Sequence, residues 1–141
     1  MGRLLGIDYG RVRIGVAVSD EMKILSRPLC CLENGSKIFE SLKRTLQPLL
    51  PIDTIVLGLP LYLNGKESPM SEEVRKFAEQ LKLALALPVV LWDERLTSAQ
   101  ADRALRDAEV KRKKRAQLED TLAAAMILQS YLDYRPYSNE K

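Results

Sequence analysis

The sequence predicts a mixed α/β layer in which helices cover one central sheet. Three observations carry that expectation. As far as Leu32 the chain alternates apolar runs with turns, as strands do; from there on, helix-type and strand-type patterns alternate. The third is composition: 141 residues, 46% hydrophobic and 29% charged, match an ordinary globular chain. One domain spanning residues 1–141 is expected, large enough to bury about two-thirds of its unfolded surface.

Arg3–Tyr9 reads as a strand apolar on both faces, and Gly10-Arg11 turns it into a second strand, Val12–Val18. There Ile14, Val16 and Val18 share one face, with Arg13 and Gly15 on the other. Ile24–Leu32 is a third strand, and Pro28 assigns it to an edge. A first helix is expected over Ser36–Leu46, with Ile38, Leu42 and Leu46 at helical spacing and Pro48 ending it. Thr54–Leu57 is a short β-branched strand running into Gly58-Leu59-Pro60. Ser68 caps a second helix with Pro69 at its first position, Glu72 and Glu73 in the first turns, and Val74, Phe77, Leu81 and Leu85 as its buried stripe. Pro88–Trp92 is a further strand. Thr97-Ser98-Ala99-Gln100 is a capping box opening a helix that carries Ala101, Leu105 and Ala108. A basic run follows, and a final helix covers Gln117 to Leu132.

The chain contains no histidine. That removes Ser-His-Asp and Cys-His triads, histidine metal sites and imidazole proton shuttles, and leaves acid–base or metal chemistry to carboxylates. Cys30 and Cys31 are adjacent and no other cysteine is available, which fits a reduced, cytoplasmic setting. The opening residues are too short an apolar run for a signal peptide. The most apolar stretch, Leu81 to Trp92, is interrupted by Lys82 and Pro88, so no membrane span is expected. The net charge of +3 is uneven: Lys111-Arg112-Lys113-Lys114-Arg115 places five cations together in an otherwise slightly acidic chain. Such a run is either a solvated loop or a contact for a phosphate backbone.

Three carboxylates stand where carboxylates are expensive. Asp8 ends the apolar strand Leu4-Leu5-Gly6-Ile7, where a buried anion needs a cation or several donors; the plainer reading is an acid accepting turn N–H groups. Glu94 follows Val89-Val90-Leu91-Trp92-Asp93 at a strand's carboxyl end, where ligand crevices form, and alternation puts it on the face of Val90 and Trp92. Its plainer reading pairs Asp93 and Glu94 with Arg95. In the last helix Leu118, Leu122, Ala125 and Leu132 make one apolar face, while Asp120, Ala124, Ile127 and Tyr131 make the opposite one. Asp120 is therefore expected to face protein near the helix start, where the dipole favours an anion. An all-oxygen donor set without His or Cys suits Mg²⁺ or Mn²⁺, and two such ions can activate water and stabilise a phosphodiester leaving group.

Gly6-Ile7-Asp8-Tyr9-Gly10-Arg11-Val12-Arg13-Ile14-Gly15-Val16-Ala17 resembles the opening motif of the YqgF/RuvX family, described as Holliday junction resolvases or as nucleases maturing pre-16S rRNA. Gly58-Leu59-Pro60-Leu61 with Asn64-Gly65 is similar to the family's second motif and Asp93-Glu94-Arg95-Leu96-Thr97-Ser98 to its third. Asp120-Thr121-Leu122-Ala123-Ala124-Ala125-Met126-Ile127-Leu128-Gln129 is similar to its fourth. The match runs in order along nearly the whole chain. It implies a ribonuclease H-like fold with a mixed five-stranded sheet whose first three strands form an antiparallel meander. By resemblance, Asp8, Glu94 and Asp120 are the metal-binding catalytic acids, Gly10 allows close approach, and Arg95 and Thr97 support the site. Arg11, Lys111, Lys113 and Lys114 are the cations expected on substrate. The chain departs from the family at Glu119, where a small residue or Val is frequent, and in its Lys/Arg-rich, glycine-free approach to the last helix. In the better-known junction resolvases a second acid is expected after the fourth strand; here that place is Gly58-Leu59-Pro60.

The leading expectation is a metal-dependent nuclease acting on structured RNA, as a monomer or homodimer. One rival cuts four-way DNA junctions, for which paired cuts call for a two-fold dimer. Another is a non-catalytic RNA-binding assembly factor working through the basic run. A third, a sugar-kinase or actin-like ATPase, begins with a similar strand and phosphate loop but needs a second subdomain for which 141 residues leave no room.

Overall fold

A computed structural model describes residues 2–97 and 112–138, with side chains described for residues 2–97 and 121–134. Five strands form one sheet: β1 (Arg3–Asp8), β2 (Arg13–Ser19), β3 (Ser26–Glu33), β4 (Ile52–Leu59) and β5 (Val89–Asp93). Their order is β3-β2-β1-β4-β5, so β1 is central. β1, β2 and β3 pair antiparallel as the expected meander, whereas β4 is parallel to β1 and β5 parallel to β4. Parallel neighbours need crossover connections, supplied by α1 (Ile38–Leu46) between β3 and β4 and by α2 (Pro69–Leu85) between β4 and β5. The last described helix, α3 (Arg112–Ser138), packs across the sheet against β1, β2, β3 and β4 and reaches β5 through Trp92.

Side-chain alternation divides the interior into two. Leu5, Ile7, Ile14, Val16, Val18, Ile55 and Leu57 point to one face and pack under α1 and α2 against Leu42, Val74, Phe77 and Leu81. Leu4, Ala17 and Val56 point to the other face, beneath Ala124, Ile127, Leu128 and Leu132 of α3. α1 buries Ile38, Leu42 and Leu46, an i, i+4, i+8 stripe. α2 starts where the sequence predicts: the Ser68 hydroxyl accepts from the Ser71 N–H, the Ser71 hydroxyl accepts from the Ser68 N–H, and Pro69 follows.

Three elements, β4, α1 and α3, differ from expectation. β4 is eight residues long and includes Gly58 and Leu59, which the sequence reading left outside the strand. Flanked by parallel partners on both sides, Gly58 keeps its ladder pair with Trp92 despite lacking a side chain. Pro48 does not simply end α1; it sits in a one-turn 3-10 continuation, Gln47–Leu49. Arg112–Arg115 lie inside α3 rather than in a preceding loop. Finally, α3 buries a single stripe, Ala123, Ala124, Ile127, Leu128 and Leu132, with Leu122 and Ala125 only half-buried. Leu132 therefore shares the face of Ala124 and Ile127 instead of opposing it. The expected helix carrying Ala101, Leu105 and Ala108 lies outside the described residues, as do residues 98–100 of the capping box.

Candidate active site

Asp8 is the last residue of the central strand and is 3% exposed. Alternation from Leu4 through Gly6 directs it to the α3 face, and its neighbours there carry no side chains. Across β2 its ladder partner is Gly15. Across β4 the register Gly6↔Val56, Ile7↔Leu57 carries on to Gly58. Two residues before it is Gly6, where an added Cβ would lie 2.7 Å from the Leu128 Cβ and 3.0 Å from the Ala124 carbonyl oxygen. Glycines thus bring α3 close to the sheet beside one carboxylate.

Glu94 follows directly on β5. It begins a single 3-10 turn, Glu94–Leu96, capped by Asp93, whose Oδ1 accepts from the Arg95 N–H at 2.9 Å. Thr97 closes the turn, its N–H and hydroxyl both donating to the Glu94 carbonyl at 3.0 Å. The Glu94 side chain is 4% exposed and reaches over β4: a Cβ on Gly58 would stand 2.7 Å from its Oε2. Strands lie about 4.8 Å apart, so a carboxylate above Gly58 is one strand spacing from the Asp8 position. Two of the acids singled out in the sequence, Asp8 and Glu94, are therefore buried on one face of the sheet, one at the end of β1 and one just beyond β5. Gly58 makes the approach possible, a role its place in the second motif could have signalled.

The third acid belongs to α3. Asp120 lies in the helix, but its side chain is outside the described residues, as are those of Lys113 and Lys114 and all of Lys111. Among the described residues no group of three His, Cys, Asp or Glu side chains forms a metal cage. The helix is tied to the site on its other flank: Trp92 Nε1 donates to the Ser130 hydroxyl at 2.9 Å, and that hydroxyl donates to the Leu96 carbonyl at 3.2 Å.

Arg11, one of the cations expected on substrate, is held by a protein carboxylate, and so is Arg95, expected to support the site. Arg11 is exposed and its Nε lies 2.9 and 3.0 Å from the two Glu73 oxygens of α2. Hydrogen bonding from Arg11 holds the Glu73 carboxyl below its usual range. Arg95 makes the same kind of fork with Asp93, Nη2 to Oδ2 at 2.7 Å, and lowers that carboxyl likewise. Its Nη1 donates to the Leu63 carbonyl at 3.2 Å, and its guanidinium lies against Gly65 at φ +88°, where a Cβ would be 3.2 Å from Nη1. Arg95 therefore straps the 60–66 loop to the turn that aims Glu94. Gly10 packs against the Arg13 carbonyl, and its own carbonyl accepts from Asn34 Nδ2 at 2.7 Å. Sequence reasoning missed Glu73; sixty-two residues from Arg11, it carries no local signal.

Comparison with solved structures identifies the fold. T. thermophilus RuvC in complex with a Holliday junction substrate superposes with a TM-score of 0.57 at 16% identity, covering 94% of this chain and 96% of that one. A second Thermus thermophilus RuvC structure gives 0.53 at 17% identity over 93% and 95%. The architecture is thus the RuvC-type, ribonuclease H-like one. The family described as "RuvX: Holliday junction resolvase" matches residues 2–134. Among relatives named "Putative pre-16S rRNA nuclease", that of Protochlamydia amoebophila is 42% identical over 94% of both chains. That of Desulfitobacterium hafniense is 45% identical over 94% of this chain and 92% of its own. This chain belongs to the RuvX family, whose descriptions all name enzymes that cut phosphodiester backbones. No helix among the described residues is long and apolar enough to cross a membrane.

Proposed function

We propose that this chain is a metal-dependent nuclease that hydrolyses phosphodiester bonds of structured RNA in maturation of the 5′ end of pre-16S rRNA. The observation that carries the reading is the pair of buried carboxylates, Asp8 and Glu94, each set against a glycine of a neighbouring strand, Gly15 and Gly58. Relatives more than 40% identical over almost the whole chain support the RNA substrate over a DNA junction.

An all-carboxylate, histidine-free donor set fits Mg²⁺ or Mn²⁺. Asp8, Glu94 and Asp120 would hold it, with two ions expected once substrate is bound; bound there, it neutralises phosphate charge and lowers the pKa of water. Helical repeat supports Asp120. Ala124 and Leu128 lie over Gly6, and Asp120 is the preceding member of the same i, i+4 series, one turn further along β1 toward Asp8. Asp8 supplies a rigid ligand from the sheet centre, and Glu94 a ligand aimed by its capped turn. Arg95 and Thr97 keep that turn in place, and Gly10 keeps the β1–β2 turn tight. Arg11 and the run of Lys111, Lys113 and Lys114 supply cations for the phosphate backbone, so binding weakens steeply with salt.

The test offers purified protein with Mg²⁺ or Mn²⁺ a pre-16S rRNA fragment and a synthetic four-way junction side by side. Wild type should cut the RNA at a defined position and leave the junction intact. Asp8→Asn and Asp120→Asn should each lose roughly a thousandfold or more in rate, and Asp8→Asn should melt at the same temperature or higher because a buried charge is gone. Variants that cut like wild type would remove the acids from the mechanism, and cleavage of the junction alone would transfer the activity to DNA.

A further inference from the structure

Opposite the acids, on the α1/α2 face of the sheet, a cleft of about 390 Å³ opens beside the carboxyl end of β1. Its aromatic wall is Tyr9, Phe39 and Phe77, with Tyr9 and Phe77 ring centres 4.9 Å apart and Phe39 and Phe77 5.5 Å apart. Phe77 is buried, but Tyr9 and Phe39 are half-exposed to the opening. The rim is polar, with Ser36, Gln80 and the ammonium of Lys76. Tyr9 directly follows Asp8, so one residue step along β1 separates a candidate metal ligand from the cleft wall, and the two point to opposite faces of the sheet.

We propose that this cleft is a subsite for an unpaired nucleobase of the substrate strand, adjacent to the phosphate held at Asp8 and Glu94. The inference rests on the nuclease reading and narrows its substrate to RNA that is single-stranded or bulged next to the cut. A ring-shaped ligand finds flat partners in Tyr9 and Phe39, while amide and hydroxyl groups on the rim meet base edges and Lys76 meets a flanking phosphate. A base still paired in a duplex cannot enter a cleft between two helices; a splayed one can. Arg11 and Glu73, joined across the β1–α2 gap, brace the side of the cleft nearest the acids.

The experiment uses the full chain and a short single-stranded RNA carrying 2-aminopurine at one position at a time, with Ca²⁺ replacing Mg²⁺ to hold cleavage off. Fluorescence should quench at one or two adjacent positions and not along the whole strand. Tyr9→Ala should abolish the quench and weaken binding about five- to 150-fold, the range for losing one stacked base, while Tyr9→Phe keeps both. Because Tyr9→Ala also removes a packing contact with Phe77, Gly35→Trp is the control. Gly35 lines the cleft and nothing lies within 4 Å of a Cβ built there, so an indole added at the cleft edge meets no clash at its base. It should melt like wild type and lose the quench. With Mg²⁺, an abasic site at the quenched position should slow cleavage by wild type and make no further difference to Gly35→Trp. Undiminished quenching in Gly35→Trp, or quenching equal at all positions, overturns the subsite. Asp8→Asn should still quench; normal quenching without cleavage by any form would sink the nuclease reading and leave the subsite standing.

Discussion

Under α1 and α2 the sheet presents Leu5, Ile7, Ile14, Val16, Val18, Ile55 and Leu57, large side chains that interdigitate with two amphipathic helices. Under α3 the same strands present Gly6, Gly15, Ala17 and Gly58 around two carboxylates. The first face stabilises the fold through buried apolar area. The second gives up much of that area so that a helix can come close and acids from separate strands can share one space. Stability and chemistry are thus assigned to opposite sides of one sheet, and substitutions on the two sides should separate them.

The largest effect is expected on the apolar side. Leu42→Ala empties a fully buried position of α1 and should destabilise by about 2–5 kcal/mol, read by chemical denaturation, with cleavage per folded molecule unchanged. A variant that stays folded but loses cleavage would break the division. Next come two glycines of the α3 face. Gly6→Ala drives a methyl against the Leu128 Cβ and a helix carbonyl, which cannot step aside, and should cost roughly 1–3 kcal/mol. Gly58→Ala meets side-chain atoms and no backbone: the end of Ile127, and the Oε2 and Cγ of Glu94. Its stability should fall less, but a displaced Glu94 should slow cleavage on the order of a hundredfold. Equal behaviour of the two would show that the glycines serve packing alone.

The smallest effect concerns pH. Arg95 holds the Asp93 carboxyl below its usual value, so the stabilisation is fully present above the unfolded value near about 3.9 and is lost as pH falls through the lower folded one. Asp93→Asn should flatten that acid limb by less than about 1 kcal/mol, because the pair meets solvent. Melting curves between pH 5 and 2 measure it, and an unchanged slope would detach the strap from the fold's acid response.

The meander, the edge position marked by Pro28 and the Ser68-Pro69 helix start were legible because each is a local signal. The buried setting of Asp8 and Glu94 was legible too, since an acid closing an apolar strand is conspicuous. Less visible was β4, where Gly58 and Pro60 look like punctuation until parallel neighbours on both sides are known. The face of α3 was misassigned at Leu132 because small alanines and large leucines blur the helical stripe. Arg11 reads from sequence as a cation for substrate, and its Glu73 partner comes from tertiary placement, whereas the Asp93–Arg95 pairing had a local reading. Asp120, Lys111, Lys113 and Lys114 remain assignments from sequence and family.

The order of elements has a consequence for synthesis. β1 is made first, and the meander can pair as soon as β3 follows, long before α3 exists. Yet α3 is the element that roofs the acidic face, tying down both edges through Ser26 to the Ala125 carbonyl and Trp92 to Ser130. A growing polypeptide therefore holds a nearly finished sheet whose acidic face stays uncovered until α3 is made.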